Sequence, residues 1–242
     1  MRIAVISDIH GNLEALRSVL ADLERQRPDA LFCLGDNVGY GPEPEAVVNL
    51  LRQRGIPSVL GNHELGLIDA QHRNWFNQTT RRSLDITAGL ISPETLAYCR
   101  ALPASLTAHG CRFVHGLPPE SATLYVWELG DEALARIMAD LPERITFVGH
   151  THMLELVSLG ADAALKHQRL SEALTPLDPA LRHLVNVGSV GQPRDGDNRA
   201  KYVIYDDQRH ELYLRRVGYD IARTAQAILA RGFPEFNASR LW

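Results

Sequence analysis

The sequence predicts an α/β fold built from βαβ units around a buried, mostly parallel sheet. Three observations predict it. Strand-length apolar runs alternate with amphipathic helical stretches from Arg2 to Leu60, the pattern of right-handed βαβ connections. Hydrophobic residues make up 45% and charged residues 22% of the chain, close to the average for globular proteins. At 242 residues the chain buries about three quarters of the surface its unfolded form exposes, so folding needs no disulfide or structural metal. Set against a soft prior of about 150 residues per domain, it is read as a single domain over residues 1–242.

The same figures exclude whole classes of protein. This is not the composition of a disordered chain, a collagen-like fibre or a disulfide-stapled mini-domain. No apolar stretch approaches the roughly 18 residues of a membrane span, and a charge interrupts the N-terminal run too early for a secretory signal. Lys+Arg number 25 against 29 Asp+Glu, a formal net charge of −4, which gives no global field for a phosphate backbone and disfavours bulk nucleic-acid binding. Cys33, Cys99 and Cys111 are odd in number and lack C-x-x-C spacing, as expected of reduced, buried thiols in a cytoplasmic protein.

Taken in order, Arg2–Ser7 is a β-branched strand, and Asn12 caps a helix with Leu13, Leu16, Leu20 and Leu23 on one stripe. Ala30–Leu34 is the second strand. Pro44 suits the first turn of a helix carrying Val47, Val48, Leu50 and Leu51, which Gly55 closes, and Ser58–Leu60 opens a third strand. From Leu65 to His109 the strands stop: Ser92-Pro93-Glu94 starts a helix, Trp75-Phe76 reads as its apolar anchor, and the segment of about 65–109 is a helical insertion or cap. Strands return at Cys111–Val114, Ile145–Val148, Glu155–Leu159 and Leu184–Val187, with a helix over Asp131–Leu141. Tyr202–Tyr205 and Glu211–Val217 flank Asp206-Asp207-Gln208 as a hairpin, and a helix spans about Asp220–Ala230. Leu165–Pro179 reads as a loop with one helical turn.

Apolar runs in this chain stop at residues that bind metals. They end in Ser7-Asp8-Ile9-His10, Gly35-Asp36-Asn37, Gly61-Asn62-His63-Glu64, His115-Gly116 and Gly149-His150-Thr151-His152. Ligands of open α/β sheets bind beyond the carboxyl ends of the strands. Asp8, His10, Asp36, Asn62, His115, His150 and His152 are seven oxygen and imidazole donors, too many for one ion and suited to two that share a carboxylate. Asp36 is the natural bridge, with one oxygen for each cation. Singly, each motif is as well explained by a turn; five of the ten histidines falling at these strand ends is not.

The motifs resemble those of the calcineurin-like metallophosphoesterase superfamily: D-x-H, G-D, G-N-H-[DE], a lone His beside Gly, and G-H-x-H, over residues 1 to about 217. The resemblance implies a four-layer αββα sandwich. It implies two divalent metal ions, one held by Asp8, His10, Asp36 and His152, the other by Asp36, Asn62, His115 and His150. Donors without thiolate fit Mn, Fe, Co, Ni or catalytic Zn. The expected reaction is hydrolysis of a small phosphorylated substrate, a phosphodiester or nucleotide polyphosphate, by a hydroxide shared between the metals. His63, which binds no metal in that family, is then the catalytic group. Asn186–Arg194 resembles the glycine- and serine-rich loop of small bacterial and archaeal members, which makes Arg194 and Ser189 candidate phosphate contacts. Tyr40, in the Gly39-Tyr40-Gly41 turn, is a candidate stacking residue.

Two alternatives stand beside this reading. One is a catalytically silent scaffold of the same fold, which would lack His63 or several donors. The other is a phosphomonoesterase or protein phosphatase. Phosphoprotein phosphatases, like the symmetrical diadenosine tetraphosphate hydrolases, carry an Arg shortly after the second motif, where this chain has Asn37-Val38-Gly39-Tyr40-Gly41.

Overall fold

In the computed structural model, which describes residues 1–242, β1 (Arg2–Ile6) is buried on both faces, and its alternation sorts the layers. Ile3 and Val5 point one way, into a cluster shared with Phe113, Phe147 and Val185; Ala4 and Ile6 point the other way, against Leu16, Val19 and Leu20 of α1 (Leu13–Gln26). Asn12 caps α1 by accepting from Ala15 N–H at 3.1 Å. β2 (Ala30–Cys33) pairs parallel with β1, and α2 (Pro44–Gln53) packs Val47 and Leu51 into the same outer cluster.

A helical stretch follows: α3 (Asn62–Ile68), α4 (Ala70–Arg73), α5 (Gln78–Ala88) and α6 (Pro93–Ala101), the last capped by Ser92. Then come β3 (Ser105–Ala108), β4 (Cys111–Val114), α7 (Asp131–Asp140), β5 (Ile145–Val148), β6 (Leu154–Leu159), β7 (Leu165–Arg169), β8 (Leu174–Pro176) and β9 (Arg182–Val187). β10 (Ala200–Asp206) and β11 (Glu211–Val217) form the hairpin, and α8 (Ile221–Ala230) and α9 (Glu235–Ser239) close the chain.

Two sheets result, in the orders β2-β1-β10-β11-β8 and β3-β4-β5-β9-β6-β7. Their inner faces meet in a core of nineteen buried residues, with Phe32 stacked on Phe113 at 4.1 Å across the gap. α1 and α2 cover the outside of the first sheet; α7 covers the second through Leu134 and Met138 against Val148 and Leu184. This is the αββα order, with no helix long and apolar enough to cross a membrane.

Several expectations are corrected. The sheets are mixed: only β1–β2, β4–β5 and β5–β9 pair parallel. The third strand shrinks to one parallel bridge, Cys33 to Ser58, because Gly61 turns the chain into α3 after three residues. Leu165–Pro179 contains two strands, β7 and β8, rather than a helical turn. β7 is an edge strand with mostly exposed side chains, so no buried face imposes a period of two on its sequence. β3 begins inside the segment expected to lack strands. Phe76 does anchor, against Gly66 and His63, but Trp75 is 71% exposed.

Candidate active site

The loops after β1, β2, β4 and β5, together with the start of α3, leave the sandwich at one edge and carry the seven donors. Asp8 and His10 follow β1, Asp36 follows β2, Asn62 opens α3, His115 follows β4, and His150 and His152 follow β5; all seven are buried. Of the nine non-glycine residues with positive φ, five are here: Asp8, His10, Asp36, His150 and His152, at 50° to 67°. Each such conformation costs about 1–2 kcal/mol and persists only where its surroundings enforce it. For Asp8, His10 and Asp36 the enforcement is a backbone zipper: Asp8 N–H donates to Gly35 O, His10 N–H to Asp36 O and Gly11 N–H to Asn37 O, at 2.8–3.1 Å; His150 N–H is held by Asp8 Oδ2 at 3.1 Å.

Backbone carbonyls set the imidazoles. Nδ1–H of His10 donates to Val38 O at 3.0 Å, that of His115 to Leu34 O at 2.7 Å and that of His152 to Gln192 O at 2.5 Å. His150 is reversed and donates Nε2–H to Thr123 O at 3.2 Å. A carbonyl only accepts, so in the neutral rings the opposite nitrogens are bare lone pairs, and all four face one space. His10 Nε2 lies 3.0 Å from His152 Nε2, and His115 Nε2 lies 3.1 Å from His150 Nδ1. Burial, joined by neighbouring histidines or Arg194, pushes the pKa of His10, His150 and His152 down, that of His150 to about 3, so these rings stay neutral. Burial opposes the charge on His115, but the Asp36 carboxylate outweighs it and lifts this imidazole to about 9.

The bare nitrogens of His10 and His152 repel, and a cation between them turns repulsion into ligation; at His115 a cation would take the place of the proton. The carboxylates repeat the pattern. Asp8 Oδ1 is buried without a hydrogen-bond partner, 3.2 Å from His152 Nε2. Asp36 Oδ1 accepts from His63 N–H at 2.8 Å, while Oδ2 sits 3.6 Å from His10 Nε2 and 3.3 Å from His115 Nε2. Of the two Asp36 oxygens, Oδ1 thus accepts a hydrogen bond and Oδ2 is the one near both His10 Nε2 and His115 Nε2. Asn62 Oδ1 lies 3.0 Å from His115 Nε2. The donor set fits divalent cations, with groups Asp8–His10–His152 and Asp36–His115–His150 each within 4.8 Å.

His63 lies beside these groups, its ring edge-on to His10 at 4.6 Å and to Tyr40 at 4.5 Å. Its Nδ1 is buried without a partner, and burial pushes its pKa down to about 4. Gly39, at φ +122°, makes room for it: a Cβ there would collide with His63 Nδ1. A cavity of about 170 Å³ runs over Asp36, Asn62, His63, His150 and His152 and reaches Arg194 and Tyr40. Arg194 donates to Gln192 Oε1 at 3.0 Å and leaves its Nε without a partner. Tyr40 lines the cavity with its faces against His10, His63 and Arg194, which leaves little of it for stacking. Ser189 does not reach the cavity: its hydroxyl donates to Asp8 O and accepts from Gln192 N–H, both at 2.8 Å.

Three contributors escaped the sequence reading. Glu64, fully buried, accepts from Asp36 N–H and Gly61 N–H with one oxygen and from Asn37 N–H with the other, tying α3 to the β2 loop. Lys201, 1% exposed on its side chain, holds Asp195 at 2.8 Å and so anchors the loop that carries Arg194. Tyr125 stacks on His150 at 3.9 Å between ring centroids. The first is visible in Gly61-Asn62-His63-Glu64; the other two have no local signature.

An αββα sandwich with nitrogen and oxygen donors converging at its strand ends defines a metal-dependent hydrolase. The model of calcineurin-like phosphoesterases matches residues 1–154, and the chain belongs to that family of metal-dependent phosphoester hydrolases. It is 35% identical, over 99% of its length and 97% of the relative's, to uncharacterized protein MJ0912 of Methanocaldococcus jannaschii. The crystal structure of a metallophosphoesterase from Sphaerobacter thermophilus superimposes with a TM-score of 0.82 at 34% identity, covering 100% of this chain and 98% of that one. Serine/threonine-protein phosphatase 2 of Escherichia coli is 42% identical over 67 residues, which are 27% of this chain and 31% of that protein.

Proposed function

We propose that the chain hydrolyses a phosphodiester or a nucleotide polyphosphate at two divalent metal ions. One would be held by Asp8, His10, Asp36 and His152, the other by Asp36, Asn62, His115 and His150. The observation that carries this reading is Asp36 Oδ2, facing His10 Nε2 at 3.6 Å on one side and His115 Nε2 at 3.3 Å on the other. Manganese, iron, cobalt, nickel and zinc all suit such donors. When bound, the ions would acidify a water and draw charge from the phosphoryl oxygens.

The remaining roles fall to the chain itself. His63, held by Gly39, Tyr40 and Phe76, stabilises the phosphoryl transition state with a ring N–H when neutral, and gives a proton to the leaving oxygen only in its imidazolium form. Arg194, with its Nε unpaired, clamps a phosphate oxygen. The helical segment of about 65–109 acts as a cap, since Phe76, Asn77 and Thr80 wall the cavity. A cleft closed in by Trp75, Phe76 and Tyr125 suits a small molecule better than the surface of a phosphoprotein. Three buried free thiols suit a reducing compartment, the cytoplasm.

The test is hydrolysis, after reconstitution with each metal, of a phosphate monoester, an aryl diester, cyclic nucleotides and dinucleoside polyphosphates. Preference for diesters or polyphosphates supports the reading. Preference for the phosphate monoester, or no turnover with any metal, refutes it.

A further inference from the structure

Three rings rise in near-parallel planes from the donor cluster to solvent. Tyr125 stacks on His150 at 3.9 Å and 18°, and Trp127 stacks on Tyr125 at 4.3 Å and 11°. Opposite them, Trp75 stands on the 65–109 segment with its ring 4.6 Å from that of His72. Trp127 is 62% exposed and Trp75 71%, the most exposed large apolar side chain of the protein. A second cavity, of about 140 Å³, lies between Trp75, Phe76 and Tyr125 and shares Asn62 and His150 with the polar cavity over the donors.

We infer that this aromatic rim is a stacking site for a nucleobase, so that the substrate is a phosphoester carrying a nucleoside. The inference rests on the proposed phosphoester hydrolysis and names its substrate class. Tyr125 is covered on both faces, by His150 and Trp127, so the open ring beside the cavity is that of Trp75; it matches the π-face of a base, and every base has one, so the grip is tolerant of sequence. An acyl chain would need an enclosed apolar tunnel instead. This lobe is open, and polar groups of Asn62, His72 and Thr123 border it, within reach of a base edge. A phosphate placed over the donors and Arg194 leaves its ester group next to Tyr125 and Trp75, which both cavities share.

The three tryptophans make the test direct. Trp242 is exposed at the end of the chain and lines neither cavity, so Trp242→Phe leaves only Trp75 and Trp127 emitting. In that background, titration with AMP quenches tryptophan fluorescence, whereas inorganic phosphate and ribose 5-phosphate do not. Adding Trp75→Ala weakens AMP binding about tenfold, the size of a lost stacking partner, and Trp127→Ala, which removes the ring backing Tyr125 and lines neither cavity, weakens it less. Both side chains are exposed, so their truncation leaves the core intact; unchanged circular dichroism checks this. In kinetics, the ratio of kcat/KM for diadenosine tetraphosphate over that for inorganic tripolyphosphate falls by a similar factor. Absence of quenching by AMP, or AMP binding indifferent to both truncations, overturns the stacking site. Quenching by AMP in a protein that hydrolyses nothing upholds the site and overturns the proposed reaction instead, so the two failures are distinguishable.

Discussion

The floor and the rim of the cleft are built on opposite principles. On the floor, no donor exceeds 8% exposure, and each of the four donor imidazoles is fixed by a backbone carbonyl. On the rim, Trp75 and Trp127 face solvent and come from segments outside both sheets. The floor is strained and over-determined, with five residues at positive φ, of which Asp8, His10 and Asp36 are locked by a zipper between the β1 and β2 loops. The rim rests on short helices and a loop. Under the proposed reaction, the difference places bond-breaking chemistry where rigid strands end and leaves selection of the substrate to connections that can vary without disturbing it.

The strongest way to break this contrast is at Asp36. Because Oδ2 faces both donor groups, Asp36→Asn is expected to lose metal and activity together, by about a thousandfold or more in kcat; full metal content by atomic spectroscopy with activity intact would refute the shared site. His63→Ala should retain metal yet lower kcat by about 10²–10⁴-fold, with little change in KM. Metal loss in that variant would move His63 into the donor set. Gly39→Ala drives a Cβ into His63 Nδ1 and should lower kcat by about tenfold or more at near-normal metal content, a backbone change read out through a ring. On the rim, Trp75→Ala should leave metal content unchanged; if it releases metal, floor and rim are not separate.

The smallest expected effect lies away from both. Asp22, on the buried face of α1, accepts from Tyr202 Oη at 2.7 Å, from Arg215 twice at 3.0 Å and from Arg25 at 2.9 Å. Burial opposes its charge, but these bonds outweigh burial and hold its carboxyl below the usual range. Its stabilisation is therefore complete above the unfolded value near pH 4 and disappears as pH falls through the lower folded value. Asp22→Asn should cost about 1–3 kcal/mol at neutral pH, seen as a lowered Tm, with the two Tm curves converging only below about pH 4. Kinetics at saturating metal should stay unchanged, and a fall in kcat would show that the floor depends on the outer layers.

Legibility followed the same division. Asp8-Ile9-His10 and Gly149-His150-Thr151-His152 could be read because each apolar run ends within two residues of its donors, so strand and site are announced together. β7 and β8 could not be read, because the exposed edge strand Leu165–Arg169 has no buried face to write a pattern into the sequence. Trp75 was misjudged for a related reason: an apolar ring predicts burial on average, and only its surroundings show one kept in solvent beside a cleft. Ser189 was misassigned because a hydroxyl in a glycine-rich loop serves backbone or phosphate equally well, and the contact with Asp8 O spans 181 positions. The carbonyls of Leu34, Val38, Thr123 and Gln192 that aim the imidazoles carry no residue-type signal at all.

The sequence alone determined the alternation of strands and helices, the membership of the donor set and the catalytic family it implies, since local periodicity and motif order are written residue by residue. Only the tertiary structure decided that one oxygen of Asp36 faces both donor groups, that His150 is turned opposite to the other three imidazoles, and that Trp75 and the Tyr125–Trp127 stack flank one cleft. Those properties depend on distances between segments remote in the chain, fixed when two sheets pack face to face through Phe32, Phe113 and Phe147 and bring their strand ends to a common edge.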